Sequence, residues 1–224
     1  NSVVIKALIP GYDYYSSVYF GVSLVDSTYT VKFDGNGAEG TMADQSFTYG
    51  KSGESLKANA FTKTGYTFAG WNTKADGTGT AYTDQQATPN VTTENGGTVT
   101  LYAQWKANTY TVKFDANGGE GTMEDQTFIY DTEQALTANT FTKTGYTFAG
   151  WKDAQGNTYT DGQTVKNLVT EDSIVLTAQW TANTYVVIFE AGEGEGSMEN
   201  QRFTYDAEQA LTANTFTKTG YTFA

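Results

Sequence analysis

The chain has 224 residues, 13 Lys+Arg against 25 Asp+Glu, and a formal net charge of −12. That balance neutralises no phosphates, so nucleic acid and anionic lipid are excluded as partners. Histidine and cysteine are both absent, which removes disulfides, thiol nucleophiles, cysteine zinc sites and the commonest general base.

Taken in chain order, the first apolar stretch is Val3 to Pro10. It holds Lys6 and is far shorter than the roughly 20 residues a spanning helix needs, so no membrane insertion is expected. Val18, Phe20, Val22 and Leu24 then alternate in step with Ile174, Leu176, Ala178 and Trp180, at a constant offset of 174 − 18 = 156. Residues 1–27 therefore read as the last strand or strands of a diverged preceding repeat. From Thr28 begins TYTVKFDGNG, which returns as TYTVKFDANG from Thr109 and more loosely as TYVVIFEAGE from Thr184. Within it Tyr110, Val112 and Phe114 face one way and Thr111 and Lys113 the other, the alternation of a half-buried strand. Asp115-Ala-Asn-Gly-Gly is turn chemistry. Thr132 to Ala138 is the predicted helix, about two turns with Thr or Asp at the cap and Glu just inside.

Further along, FTKTGYTFAGW occurs at Phe61–Trp71 and again at Phe141–Trp151, an offset of 141 − 61 = 80. Glu133–Ala149 returns unchanged at Glu208–Ala224, an offset of 208 − 133 = 75. LYAQWKANTY from Leu101 matches LTAQWTANTY from Leu176. Matches of this length at a fixed period mark tandem domain-sized units. The boundaries are 28–108 for repeat 1, 109–183 for repeat 2 and 184–224 for a truncated repeat 3. The chain reads as a window onto a longer array, and the short joints Lys106-Ala-Asn-Thr and Thr181-Ala-Asn-Thr suggest an elongated, semi-rigid rod. The fold class expected is α+β, mostly β, with one short helix in each module.

The pattern Y-x-V-x-F-D-x-N-G-G, then F-x-K-x-G-Y-x-F-x-G-W, then L-x-A-Q-W resembles the Listeria–Bacteroides repeat, also described as the internalin B-type B repeat. The resemblance covers nearly all of residues 28–224. It implies β-grasp-like modules strung in tandem on large extracellular proteins of the bacterial surface or cell wall, where they act as spacers that can add adhesive contacts.

The recurring aromatics Phe33, Phe61, Tyr66, Phe68, Trp71 and Trp105, with Phe114, Phe141, Tyr146, Phe148, Trp151 and Trp180, read as a structural core repeated copy by copy. The competing reading of the tryptophans, a sugar-stacking platform, fits less well with their register in the strands. The acidic turns at Asp34, Asp115 and Glu190 lack the ligand spacing of a calcium loop. Lys63, Lys143 and Lys218 recur four residues after Asn59, Asn139 and Asn214, roughly 13 Å at strand rise, too far for an isopeptide bond within a pair. Adjacent carboxylates such as Glu124-Asp125 and Glu171-Asp172 would face opposite ways on a strand and form no acid–base pair. No catalytic, cofactor or metal residue is assigned. Two roles follow: a non-catalytic stalk of an adhesin, or an array whose repeats bind a host or partner protein through an exposed sheet edge. Donation of residues 16–27 to repeat 3 of another chain would give head-to-tail self-association.

Overall fold

The computed structural model describes residues 3–8, 15–20, 25–87 and 89–224. It divides into two compact units, Asn1–Lys106 and Ala107–Ala224. Unit 1 opens with an antiparallel hairpin of β1 (Val3–Leu8) and β2 (Tyr15–Phe20), in register from Val3↔Phe20 to Leu8↔Tyr15. The alternation over Val18, Phe20, Val22 and Leu24 falls partly on residues 21–24, which lie outside the described residues.

Repeat 1 contributes β3 (Thr28–Asp34), β4 (Gln45–Thr48), β5 (Tyr66–Asn72), β6 (Ala81–Tyr82) and β7 (Thr98–Ala107). They form one sheet in the order β4-β3-β7-β5-β6. Repeat 2 supplies β8 (Thr109–Asp115), β9 (Gln126–Ile129), β10 (Gln134–Ala135), β11 (Tyr146–Lys152), β12 (Thr158–Tyr159), β13 (Thr164–Val165) and β14 (Ser173–Ala182). Its sheet has the same topology, β12-β11-β14-β8-β9, with β10 and β13 paired separately. In repeats 1 and 2 the last strand lies parallel to the first, β7 on β3 and β14 on β8. Repeat 3 has β15 (Thr184–Val187) antiparallel to β16 (Gln201–Thr204).

Repeats 1 and 2 each close on one tryptophan. Phe148 and Trp151 are three residues apart, so a regular strand would point them to opposite faces. A bulge on β11 between Phe148 and Gly150 shifts the register, with Phe148 opposite Trp180 and Gly150 opposite Gln179. The extra residue brings both rings to the same side. Only glycine suits the bulge: Gly150 has φ 124, and a Cβ there would stand 2.7 Å from the Tyr159 carbonyl oxygen. Gly70 repeats this with φ 134 and the Tyr82 carbonyl oxygen at 2.8 Å. Trp151, 0% exposed, then sits among Phe148, Phe114 and Phe141 at ring separations of 4.9, 5.0 and 6.1 Å. Trp71 has Phe68, Phe33 and Phe61 at 5.0, 5.0 and 6.2 Å. The indole N–H of each has no hydrogen-bond partner, and each ring lies inside the buried apolar cluster of its repeat.

The predicted helix is a correction to make. No helix occurs among the described residues, and the fold is all-β rather than α+β. Across Thr132–Ala138 the chain turns at Asp131 (φ 61) and pairs Gln134 and Ala135 with Val165 and Thr164. Leu136 N–H donates to the Gln163 carbonyl at 2.9 Å. The Gln126 side chain donates to the Ala135 carbonyl at 2.9 Å and accepts the Thr137 N–H at 2.8 Å. Seven residues are too few to nucleate a stable helix, and here cross-chain partners satisfy the backbone while Leu136 enters the core, 3% exposed.

Trp151→Ala is expected to destabilise repeat 2 by about 3–5 kcal/mol, and Gly150→Ala to weaken the same repeat through the bulge. Amide hydrogen exchange along β8 and β14 measures both, and unchanged protection in either variant contradicts the account.

Candidate functional site

The features that recur outside the core are turns, and each is held by its own residues. Asp115 accepts the Asn117 N–H at 2.7 Å, Asn117 takes φ 50, and its side chain donates to the Ala178 carbonyl at 2.9 Å, tying the first turn to β14. Asn36 does the same in repeat 1, bonded to Asp34 and to the Ala103 carbonyl at 3.0 Å. In repeat 3 Gly192, with φ 59, takes the place of asparagine. Asp34 and Asp115 of the acidic turns thus cap their own turns, as the sequence reading expected of them. Among the described residues no group of three or more His, Cys, Asp or Glu stands close enough to hold a metal ion.

The Lys-Thr-Gly-Tyr turn also repeats. The ammonium groups of Lys63, Lys143 and Lys218 lie over the rings of Tyr66, Tyr146 and Tyr221 at 4.5, 4.8 and 4.4 Å. The paired asparagines are engaged elsewhere: Asn139 accepts the Phe141 N–H and donates to the Phe141 carbonyl, both at 3.0 Å, and Asn59 and Asn214 do likewise with Phe61 and Phe216.

Of the aromatics marked in the sequence, Phe33, Phe61 and Trp71 belong to the buried cluster of repeat 1, with Phe68 and Trp105 packed against it. Phe141 and Trp151 belong to that of repeat 2, with Phe114, Phe148 and Trp180 against it. Trp105 and Trp180 donate to the carbonyls of Gly35 and Ala116, both at 2.9 Å. Tyr66 and Tyr146 stand apart from both clusters, half-buried on their turns. Sequence reasoning passed over Gln45, Gln126 and Gln201, whose side chains brace equivalent segments in all three repeats. Their recurrence, 201 − 126 = 75, was the available signal.

Two local environments differ between copies. In repeat 2 Asp153, 7% exposed, accepts from the Asn157 side chain and the Tyr159 hydroxyl, each at 2.9 Å. Burial pushes its carboxyl up, but these hydrogen bonds prevail and hold it below the usual range. Burial first, then the bond to Asp153, pushes the Tyr159 hydroxyl up to about 12. In repeat 1 the loop after the tryptophan instead buries Asn72, whose side chain accepts the Lys74 and Gly79 N–H groups, each at 3.0 Å.

A family model described as the Listeria-Bacteroides repeat domain matches residues 29–104, 110–179 and 185–224. A protein of Evansella cellulosilytica named "Putative Gly-rich membrane protein" is 37% identical over 110 residues, which is 43% of this chain and 12% of that relative. The chain therefore corresponds to a small part of that protein's length. Among the described residues no helix is long and apolar enough to cross a membrane.

The Asp153–Tyr159 pair sets a test. Because Tyr159 is raised on folding, its contribution to stability is complete below about pH 10, the unfolded value, and disappears as pH rises toward its folded value of about 12. Asp153, lowered on folding, contributes above the unfolded carboxylate range and loses that contribution in acid. A phenolate absorbance titration should show a group of late-ionising tyrosines, since Tyr29, Tyr82, Tyr110 and Tyr146 are also pushed up, and Tyr159→Phe should reduce that group by one phenolate. If the wild-type and variant curves coincide, the pairing is wrong.

Proposed function

The chain belongs to the Listeria–Bacteroides repeat family, and from that premise we propose that it is part of a non-catalytic stalk on a bacterial cell-surface or cell-wall protein, an adhesin. The observation that carries this reading is the repetition of one complete core, tryptophan, bulge and aromatic surround, in successive modules. An active site needs one constellation, whereas a spacer gains reach by adding units. The family is found in bacterial surface proteins and is not a catalytic one. A relative named as a membrane protein also supports a place at the cell envelope.

A second reading rests on the edge strand β9, where Ile129 is 49% exposed. It is a surface on which a partner protein's strand could add to the sheet. Copy number separates the two. Chains carrying increasing numbers of repeats beneath one terminal binding domain should lengthen its reach in equal steps while attachment to host surfaces per molecule stays constant. Attachment rising steeply with copy number, as avidity does, would favour the binding reading. Labelling of the repeats on intact cells tests the location, and labelling only after lysis would refute it.

A further inference from the structure

Asn183 is the single residue between β14 and β15, and three of its polar groups are engaged. Its N–H donates to the Gly145 carbonyl at 2.8 Å, its carbonyl accepts the Tyr205 N–H at 2.8 Å, and its side-chain oxygen accepts the Thr147 hydroxyl at 2.6 Å. Gly145 and Thr147 belong to repeat 2, Tyr205 to repeat 3. Tyr205, immediately after β16, lays its ring on Gly145, where a Cβ would overlap the ring. It also meets the Tyr146 ring edge-on at 5.7 Å. The Tyr146 hydroxyl donates to Asp206 at 3.1 Å.

The same turn in repeat 3 provides the comparison. Gly220 has φ 79 beside 78 at Gly145, so the two backbones match. Yet a Cβ at Gly220 would have nothing within 4 Å, and Tyr221 is 72% exposed. The Gly-Tyr turn thus has the same backbone in both repeats, and at Gly145 its bare glycine face is filled by the Tyr205 ring. The tyrosine beside that glycine offers a ring edge and a hydroxyl donor. The complement to such a surface is an aromatic ring followed directly by a carboxylate.

We propose that Gly145-Tyr146 is a docking surface for the Tyr-Asp turn of a succeeding repeat, and that this clasp, pinned at Asn183, locks repeats 2 and 3 into one body. The partner it fits is a module carrying tyrosine and aspartate immediately after its second strand, as Tyr205-Asp206 does. A module with glycine in place of the aspartate, as repeat 1 has at Tyr49-Gly50, offers the ring but no acceptor and docks more weakly. The clasp thus selects which module follows well, by a single side chain. It deepens the stalk reading, on which its purpose rests, because a stalk with locked steps keeps its reach where a hinged one collapses.

Amide hydrogen exchange on the full chain tests it. Tyr205→Ala and Asp206→Gly should each speed exchange at the Asn183 amide by about tenfold, the scale of one ring contact or one charge-assisted bond, while Leu176 inside β14 is unaffected. Asn183 exchange that ignores both Tyr205→Ala and Asp206→Gly overturns the clasp. The display experiment reads attachment and the exchange experiment reads one step of the chain, so either reading can fail while the other stands.

Discussion

Everything in a repeat depends on bringing one tryptophan inward at a position where strand alternation would turn it out. The bulge at Gly70 or Gly150 accomplishes this, and it works only because glycine tolerates both the positive φ and a carbonyl oxygen where a Cβ would be. With Trp71 or Trp151 in place, phenylalanines from three different segments gather around it. A module of about 75 residues without disulfides has little area to spare, so large aromatic rings carry most of the burial. The second tryptophan, Trp105 or Trp180, extends the cluster and uses its N–H to hold the first turn.

Much of this was legible in the sequence. Alternation placed Tyr110 and Val112 inward, and both are buried, as are Ile174, Leu176 and Ala178. The turn at Asp115-Ala-Asn-Gly-Gly was readable because asparagine and glycine are what a left-handed turn demands. Residues 132–138 were misread because an apparent cap, a Glu and an Ala-Leu pair are local signals, whereas the segment's hydrogen bonds go to Gln126 and Gln163, far outside any local window. The tyrosine of the Gly-Tyr pair was grouped with the core because it is aromatic and recurrent. In repeat 2 its ring and hydroxyl meet Tyr205 and Asp206 of the following repeat, contacts that strand alternation does not reveal.

Repetition here preserves some features and frees others. The glutamine braces, the asparagine rings on Phe61, Phe141 and Phe216, and the lysine–tyrosine stacks return almost unchanged. The loop after the tryptophan does not. Repeat 1 buries Asn72, whose side chain accepts the N–H groups of Lys74 and Gly79, while repeat 2 buries Asp153 with Asn157 and Tyr159. Two different polar groups solve the same problem of satisfying a buried turn. Surface charge varies as freely, with 10 acidic and 4 basic residues across 110–184 against 7 and 6 across 29–109.

The parallel pairing of first and last strands has a mechanical meaning. In repeat 2 the chain enters at the start of β8 and leaves at the end of β14, and the two strands lie side by side from Thr111↔Ser173 to Asp115↔Thr177. Tension applied along the polypeptide pulls these neighbours in opposite directions along their own axes. The hydrogen bonds between them are then loaded together in shear, rather than opened one after another from an end as in a hairpin. A module wired this way resists extension until that whole row fails at once, so its lifetime under load is set by the barrier to forced unfolding rather than by equilibrium stability alone.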